Sequence, residues 1–190
     1  MKGIQTIAKV EAAASKKLVD DTGKKAVVRI GTLNTKVGTP AAKTQQDLQR
    51  LIPKTDFLAL TEMAGKFTAI KKWLAERNWG LLGGNGVDQR RAAVAYNKRT
   101  QRLEKKGIRK LGNKKANIIG GKEIRYANYG LFTDKDSGRR TWQVSAHTVP
   151  TPNMDARHRP LFLEQWGNLD KLVNQLQGSG APVFVSGDLN

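Results

Sequence analysis

The sequence has no cysteine, only two histidines, and fewer than half as many acidic as basic residues, 16 Asp+Glu against 34 Lys+Arg in 190. The missing cysteines exclude a disulfide scaffold and any thiolate metal site. Two histidines alone argue against structural zinc. No apolar run approaches the ~18 residues that a membrane span requires. Lys9 and Glu11 also interrupt the N-terminal stretch where an export signal needs an unbroken apolar core. These absences point to a soluble, cytoplasmic protein with no membrane association.

What the sequence has in excess is base. A formal net charge of +18 repels itself in a compact state, and the usual compensating partner is a polyanion, nucleic acid first. The charge concentrates between Lys98 and Arg125, where eleven basic residues face two acids, Glu104 and Glu123. Lys98, Arg99, Arg102, Lys105, Lys106, Lys114 and Lys115 are the candidate nucleic-acid contacts. The same run also fits a solvated face kept basic for solubility. Tyr126, Tyr129 and Trp142 lie close by and either stack on bases or pack into a core.

The apolar share of 38% suffices for one domain with one sizeable core. Residues 1–25, with two lysine pairs and a short apolar stretch, read as a basic N-terminal arm, and 26–190 as the folded domain. Val27–Leu33, Phe57–Thr61, Trp79–Leu82, Ala92–Tyr96, Arg102–Lys110, Ile124–Thr133, Arg140–His147 and Pro182–Ser186 carry the β-branched or continuous apolar texture of strands. The strand over Arg102–Lys110 is expected to hold its basic residues on one exposed side. Asp134–Gly138 marks a hairpin turn. Apolar residues at helical spacing predict helices over Thr44–Ile52, Lys66–Arg77 and Arg157–Leu176. Strands interleaved with helices indicate an α/β domain.

Several predicted strands end on residues able to do chemistry: Asn34, Glu62, His147, then Asp188 and Asn190. Strand ends are where a rigid sheet presents side chains to a cleft. Two carboxylates and two amides form an oxygen-rich set suited to Mg2+ or Mn2+. A histidine adds a donor for a phosphate oxygen near pH 7. Taken singly, each has an ordinary structural reading. Asn34 ends a strand, Glu62 starts a helix in solvent, His147 closes a strand, and Gly187–Asn190 makes a turn.

In order, the segments IGTLN, DFLALTE, AAVAYNK, VSAH and VFVSGDLN resemble the endonuclease/exonuclease/phosphatase superfamily, over essentially all of the chain after the arm. That resemblance implies the DNase I-like fold, a two-sheet sandwich covered by helices. It implies a divalent cation at Asn34 and Glu62, and a histidine, His147, acting on the phosphate or leaving group. It further implies an aspartate, Asp188, that orients or deprotonates the attacking water, and an asparagine, Asn190, on the phosphate. Further catalytic residues follow GDxN in that superfamily, a later Asp and a terminal Asp-His pair. Because the sequence ends at Asn190 without them, the expectation is an incomplete domain lacking its C-terminal strands. It would be the N-terminal portion of a full enzyme, or part of a split one completed by a second chain. The expected activity is metal-dependent hydrolysis of nucleic-acid phosphodiester bonds. The alternatives are a non-catalytic nucleic-acid-binding protein with the same fold, or a phosphatase of an anionic lipid or small phosphoester.

Overall fold

Short apolar runs bounded by Asn, Asp and Gly become strands because alternate side chains have two layers to bury into. The computed structural model describes residues 28–112, 116–118, 121–149 and 159–189. The expected basic arm therefore lies outside the described residues, as do Lys114, Lys115 and Asn190. In chain order the elements are β1 (Ile30–Asn34), α1 (Ala41–Leu51), β2 (Phe57–Thr61), α2 (Phe67–Ala75), β3 (Trp79–Leu82), β4 (Ala92–Asn97), β5 (Gln101–Lys110), β6 (Ala116–Ile118), β7 (Gly121–Glu123), β8 (Tyr126–Asp134), β9 (Arg140–His147), α3 (Arg159–Gln177) and β10 (Val183–Asp188).

Two four-stranded sheets result, ordered β1-β2-β4-β3 and β10-β9-β8-β5, with β6 and β7 as a separate hairpin. Each large sheet carries one parallel pair at an edge, β1 with β2 and β10 with β9, and is otherwise antiparallel. The sheets pack face to face, and helices cover the outside. Leu58 and Leu60 of β2 cluster with Leu48 of α1 and Ile70 and Leu74 of α2. On the other side Trp142, Val144 and Ala146 of β9 cluster with Leu169, Leu172 and Leu176 of α3. Strand alternation then turns Phe57, Ala59 and Thr61, and Thr141, Gln143, Ser145 and His147, towards the opposite sheet.

That inner layer is graded. At one end Phe57 and Phe132 meet edge to face with ring centroids 4.9 Å apart, and Tyr96 lies 4.9 Å from Phe132. At the other end the row finishes in Thr61 and His147, both buried. The aromatic end locks the sheets together, and the polar end brings Thr61 and His147 to the ends of their strands.

The structure differs from the sequence reading in instructive places. Helix α1 starts three residues early, directly after Pro40, whose φ of −57° suits the entry to a helix. The β6–β7 hairpin has no counterpart in the predicted elements. A bulge between Leu103 and Lys105 shifts the register of β5 against β8. Strand alternation places Lys105 and Lys106, and likewise Arg109 and Lys110, on opposite faces of this edge strand, so its basic residues do not share one side. Trp142 is core: it is buried and packs 5.9 Å from Tyr129, with its indole N–H donating to the Ser179 hydroxyl at 2.8 Å. Among the described residues no helix is long and apolar enough to cross a membrane.

Removing the ring that joins the two sheets is the direct test of this packing. Phe132→Ala is expected to cost about 3–5 kcal/mol of unfolding free energy, read from urea melts. A loss below about 1 kcal/mol would mean that the sheets are held elsewhere.

Candidate active site

The parallel register of β1 and β2 sets Asn34 beside Thr61, so Glu62 follows at the same end of the sheet. The parallel register of β10 and β9 sets Asp188 beside His147. Because β1 and β10 face each other across the sandwich, the two pairs meet at one end of it. Asn34 makes the junction. Its side-chain N–H group donates to Glu62 Oε1 at 3.0 Å and to Asp188 Oδ2 at 2.8 Å. Its own oxygen accepts from the Lys36 amide at 2.9 Å. Ligand atoms of Glu62, His147 and Asp188 all lie within 4.8 Å of one another.

Glu62 reaches this position by leaving the strand conformation. Its φ is +59°, a left-handed backbone that an L residue adopts at a cost of about 1–2 kcal/mol. Two bonds offset it: the Thr35 hydroxyl donates to the Glu62 carbonyl at 3.2 Å, and the Val37 amide donates to Glu62 Oε2. Burial alone would raise the Glu62 pKa. The bonds from Asn34 and Val37, with the charge of Arg125, outweigh it and hold the carboxyl below its ordinary value.

Asp188 is seated by the glycine before it. Gly187 has a φ of +133°, and a Cβ there would run into the Ala146 backbone. Only glycine allows β10 to pass this close to β9 while turning Asp188 inward. The Thr148 amide then donates to the Asp188 carbonyl at 3.0 Å and the Thr148 hydroxyl to the Leu189 carbonyl at 2.7 Å, pinning the strand end.

His147 is buried, and Nη1 of the buried Arg125 lies 2.9 Å from its Nδ1. A guanidinium can only donate, so Nδ1 is the acceptor and the ring proton sits on Nε2. That nitrogen faces Asp188 Oδ2 at 3.9 Å. Burial, then the Arg125 charge, push the imidazole pKa down to about 4, with Asp188 and Glu62 opposing without cancelling. His147 is therefore a neutral donor at pH 7.

Glu62 and Asp188 are the hard oxygen donors that fit a divalent cation, while the Asn34 oxygen is turned to the Lys36 amide and would reach a cation only with its amide flipped. The fit rests on an observation: Glu62 and Asp188 converge on one positively polarised N–H group. His147 fits less well, since its inward nitrogen carries the proton.

The basic candidates do not gather at this end. Arg102 pairs with Thr133, which pairs with Arg140, seven residues and about 24 Å along β9 from His147. Lys98 and Arg99 follow the end of β4 at that same remote end. Lys105 and Lys106 sit midway along the edge strand. Three other cations surround the site and were not singled out by sequence: Arg125, Lys66 and Arg91, whose charge also acts on His147. Nothing in the sequence separates them from the other basic residues, because their roles depend on burial.

No protein-family model matches the chain, and no curated protein matches it by sequence. Solved structures do. The chain is similar to the human Nocturnin catalytic domain at 17% identity and a TM-score of 0.65, covering 86% of this chain and 64% of that one. It is similar to a mannosyl-6-phosphatase of Bacteroides thetaiotaomicron at 14% identity and a TM-score of 0.65, covering 86% and 66%. It is also similar to D. rerio TDP2 complexed with a single-strand DNA product, at 14% identity and a TM-score of 0.60, covering 86% and 60%. The chain thus spans less than two thirds of each of those lengths. Its two mixed sheets, their parallel edge pairs and the helices outside them are the DNase I-like fold that these structures share.

Proposed function

We propose that the protein is a divalent-metal-dependent phosphodiesterase acting on nucleic acid, as a complete enzyme or as the larger part of one. The observation that carries this reading is the convergence of Glu62 and Asp188 on the Asn34 amide, with the neutral donor His147 beside them. Glu62 and Asn34 would hold Mg2+ or Mn2+, which when bound supplies neutralisation of charge on the phosphate and the leaving oxygen. Asp188, free to accept, aims a water at phosphorus and takes up its proton as the new P–O bond forms and the ester P–O bond breaks. His147 donates its Nε2–H to a non-bridging phosphate oxygen. It does not protonate the leaving group, since a neutral ring giving up that proton would become an imidazolate. Asn190 belongs to the same proposal as a phosphate contact and lies outside the described residues.

Nucleic acid is favoured as substrate by the charge of +18, for which a single small phosphoester offers too little counter-charge. The D. rerio TDP2 structure with a single-strand DNA product supports that choice, and the Bacteroides mannosyl-6-phosphatase is the reason to test it. The experiment is cleavage of a labelled plasmid, a single-stranded RNA and a sugar phosphate, with Mg2+ and with EDTA. EDTA-sensitive cleavage of the nucleic acids, lost in Asp188→Ala and Glu62→Gln while binding persists, is the expected result. Salt-sensitive binding with no cleavage, indifferent to both substitutions, would replace the proposal with a non-catalytic binding protein. Turnover of the sugar phosphate alone would move it to the phosphatases.

The depressed His147 pKa has a worked sign. The unfolded ring takes up a proton near pH 6.5 and the folded ring only near 4, so stability is full above about 6.5 and falls as pH drops towards 4. The difference amounts to on the order of 3 kcal/mol. The ring should titrate near pH 4 by NMR, and His147→Asn should flatten the decline in the urea midpoint between pH 6.5 and 4. Titration near 6.5 would remove the neutral-donor role.

Neutralising Lys105, Lys106, Lys114 and Lys115 together is expected to reduce the slope of log K against log[salt] by up to ~0.9 per lost duplex contact, or ~0.7 on a single strand. Alanine at Lys98, Arg99 and Arg102, about 24 Å from the site along the sheet, should weaken binding of long nucleic acid and spare cleavage of a short oligonucleotide. An unchanged slope in the first variant would separate that segment from the backbone.

A further inference from the structure

We propose that Lys66 is a positioning residue, whose ammonium locks the Asn34–Val37 turn against Glu62 and thereby sets the cation-binding geometry. The inference rests on reading Glu62 and its neighbours as a divalent-cation site. Lys66 is 7% exposed, and its Nζ donates to the Thr35 carbonyl at 2.8 Å and the Lys36 carbonyl at 2.7 Å. Those carbonyls belong to a turn bent through Lys36 at a φ of +52°. The turn presents Asn34 at its start and the Val37 amide at its end, and both donate to Glu62.

Lys66 is also joined to the other arm of the site. Its amide donates to the Met63 carbonyl at 3.1 Å, closing the turn that follows Glu62. One residue, through its ammonium and its backbone amide, therefore ties the two loops that hold the carboxylate. A buried ammonium without acceptors would be costly, and here the turn carbonyls supply them. Burial lowers the Lys66 pKa, with Glu62 opposing.

A positioning role and a mere nearby charge make opposite predictions. Removing a positive charge close to a cation site strengthens cation binding by Coulomb's law. Removing the clamp weakens it, because the donors that orient a ligating carboxylate are worth 10–100-fold in metal affinity. The test is Mn2+ titration of the metal-free protein by calorimetry, comparing wild type, Lys66→Met and the exposed helix neighbour Lys71→Met. Lys66→Met is expected to bind at least tenfold more weakly, with Lys71→Met unchanged. Equal or tighter binding in Lys66→Met overturns the proposal.

A second readout needs no metal. In Lys66→Met the Val37 amide should exchange its hydrogen faster than in wild type, while the amides of Leu58 and Ile70 keep their protection. Unaltered exchange at Val37 overturns the clamp even if the wild type binds no Mn2+, a result that would instead defeat the cation reading. Should Leu58 lose protection as well, Lys66→Gln, which retains a donor for one carbonyl, decides by the same two measurements with an intermediate effect expected.

Discussion

Two carboxylates are held close together, and the rest of the site depends on keeping them there. Ligand atoms of Glu62 and Asp188 lie within 4.8 Å. When both are ionised at that distance they repel by about 3 kcal/mol at an effective dielectric of about 20. The fold compensates in layers. Asn34 gives each carboxylate one of its two N–H donors, and hydrogen bonds to a charged group contribute about 1.5–3 kcal/mol each. The Val37 amide adds a third donor, and Arg125, Arg91 and Lys66 place positive charge around the cluster. The strands make this compensation possible. A parallel pair at the edge of each sheet delivers two functional residues to the same end, and the face-to-face packing of β1 and β10 turns two pairs into one site.

Most of the architecture was legible because burial on both faces writes itself as uninterrupted apolar sequence. Phe57–Thr61 and Trp79–Leu82 were read to the residue, and the hairpin of β8 and β9 followed from its polar turn. Asn34, Glu62, His147 and Asp188 were visible for a related reason: polar residues directly after such runs have nowhere to go but the sheet end. What escaped was whatever depends on distance rather than order. Arg125 looked like one of eleven cations in a basic run, yet it is buried against His147. Lys66 entered the sequence reading only as the start of a predicted helix, yet its ammonium bonds the Thr35 and Lys36 carbonyls. The one-sided basic strand failed because neighbours such as Lys105 and Lys106 must point to opposite faces of a strand, and a bulge between Leu103 and Lys105 adds a register shift to that alternation. The remote placement of Arg102 follows from antiparallel pairing, where residues near in sequence to the site can run to the opposite end of the sheet.

The Arg125–His147 contact has a chemical consequence beyond tautomer choice. Histidines beside scissile phosphates are open to two roles, donating a proton to the leaving oxygen or donating a hydrogen bond to the phosphate. Arg125 separates them here. By occupying Nδ1 with a permanent donor, it leaves the ring no second nitrogen on which to carry a proton, and its charge disfavours the imidazolium. In the proposed hydrolysis the leaving oxygen would depart without help from His147 at neutral pH, and its charge would have to be met by other positive groups at the site. A cluster of carboxylates could not do this unaided. Under the same proposal the surplus of base would act at two scales, on a long polyanion outside and on the departing oxygen within.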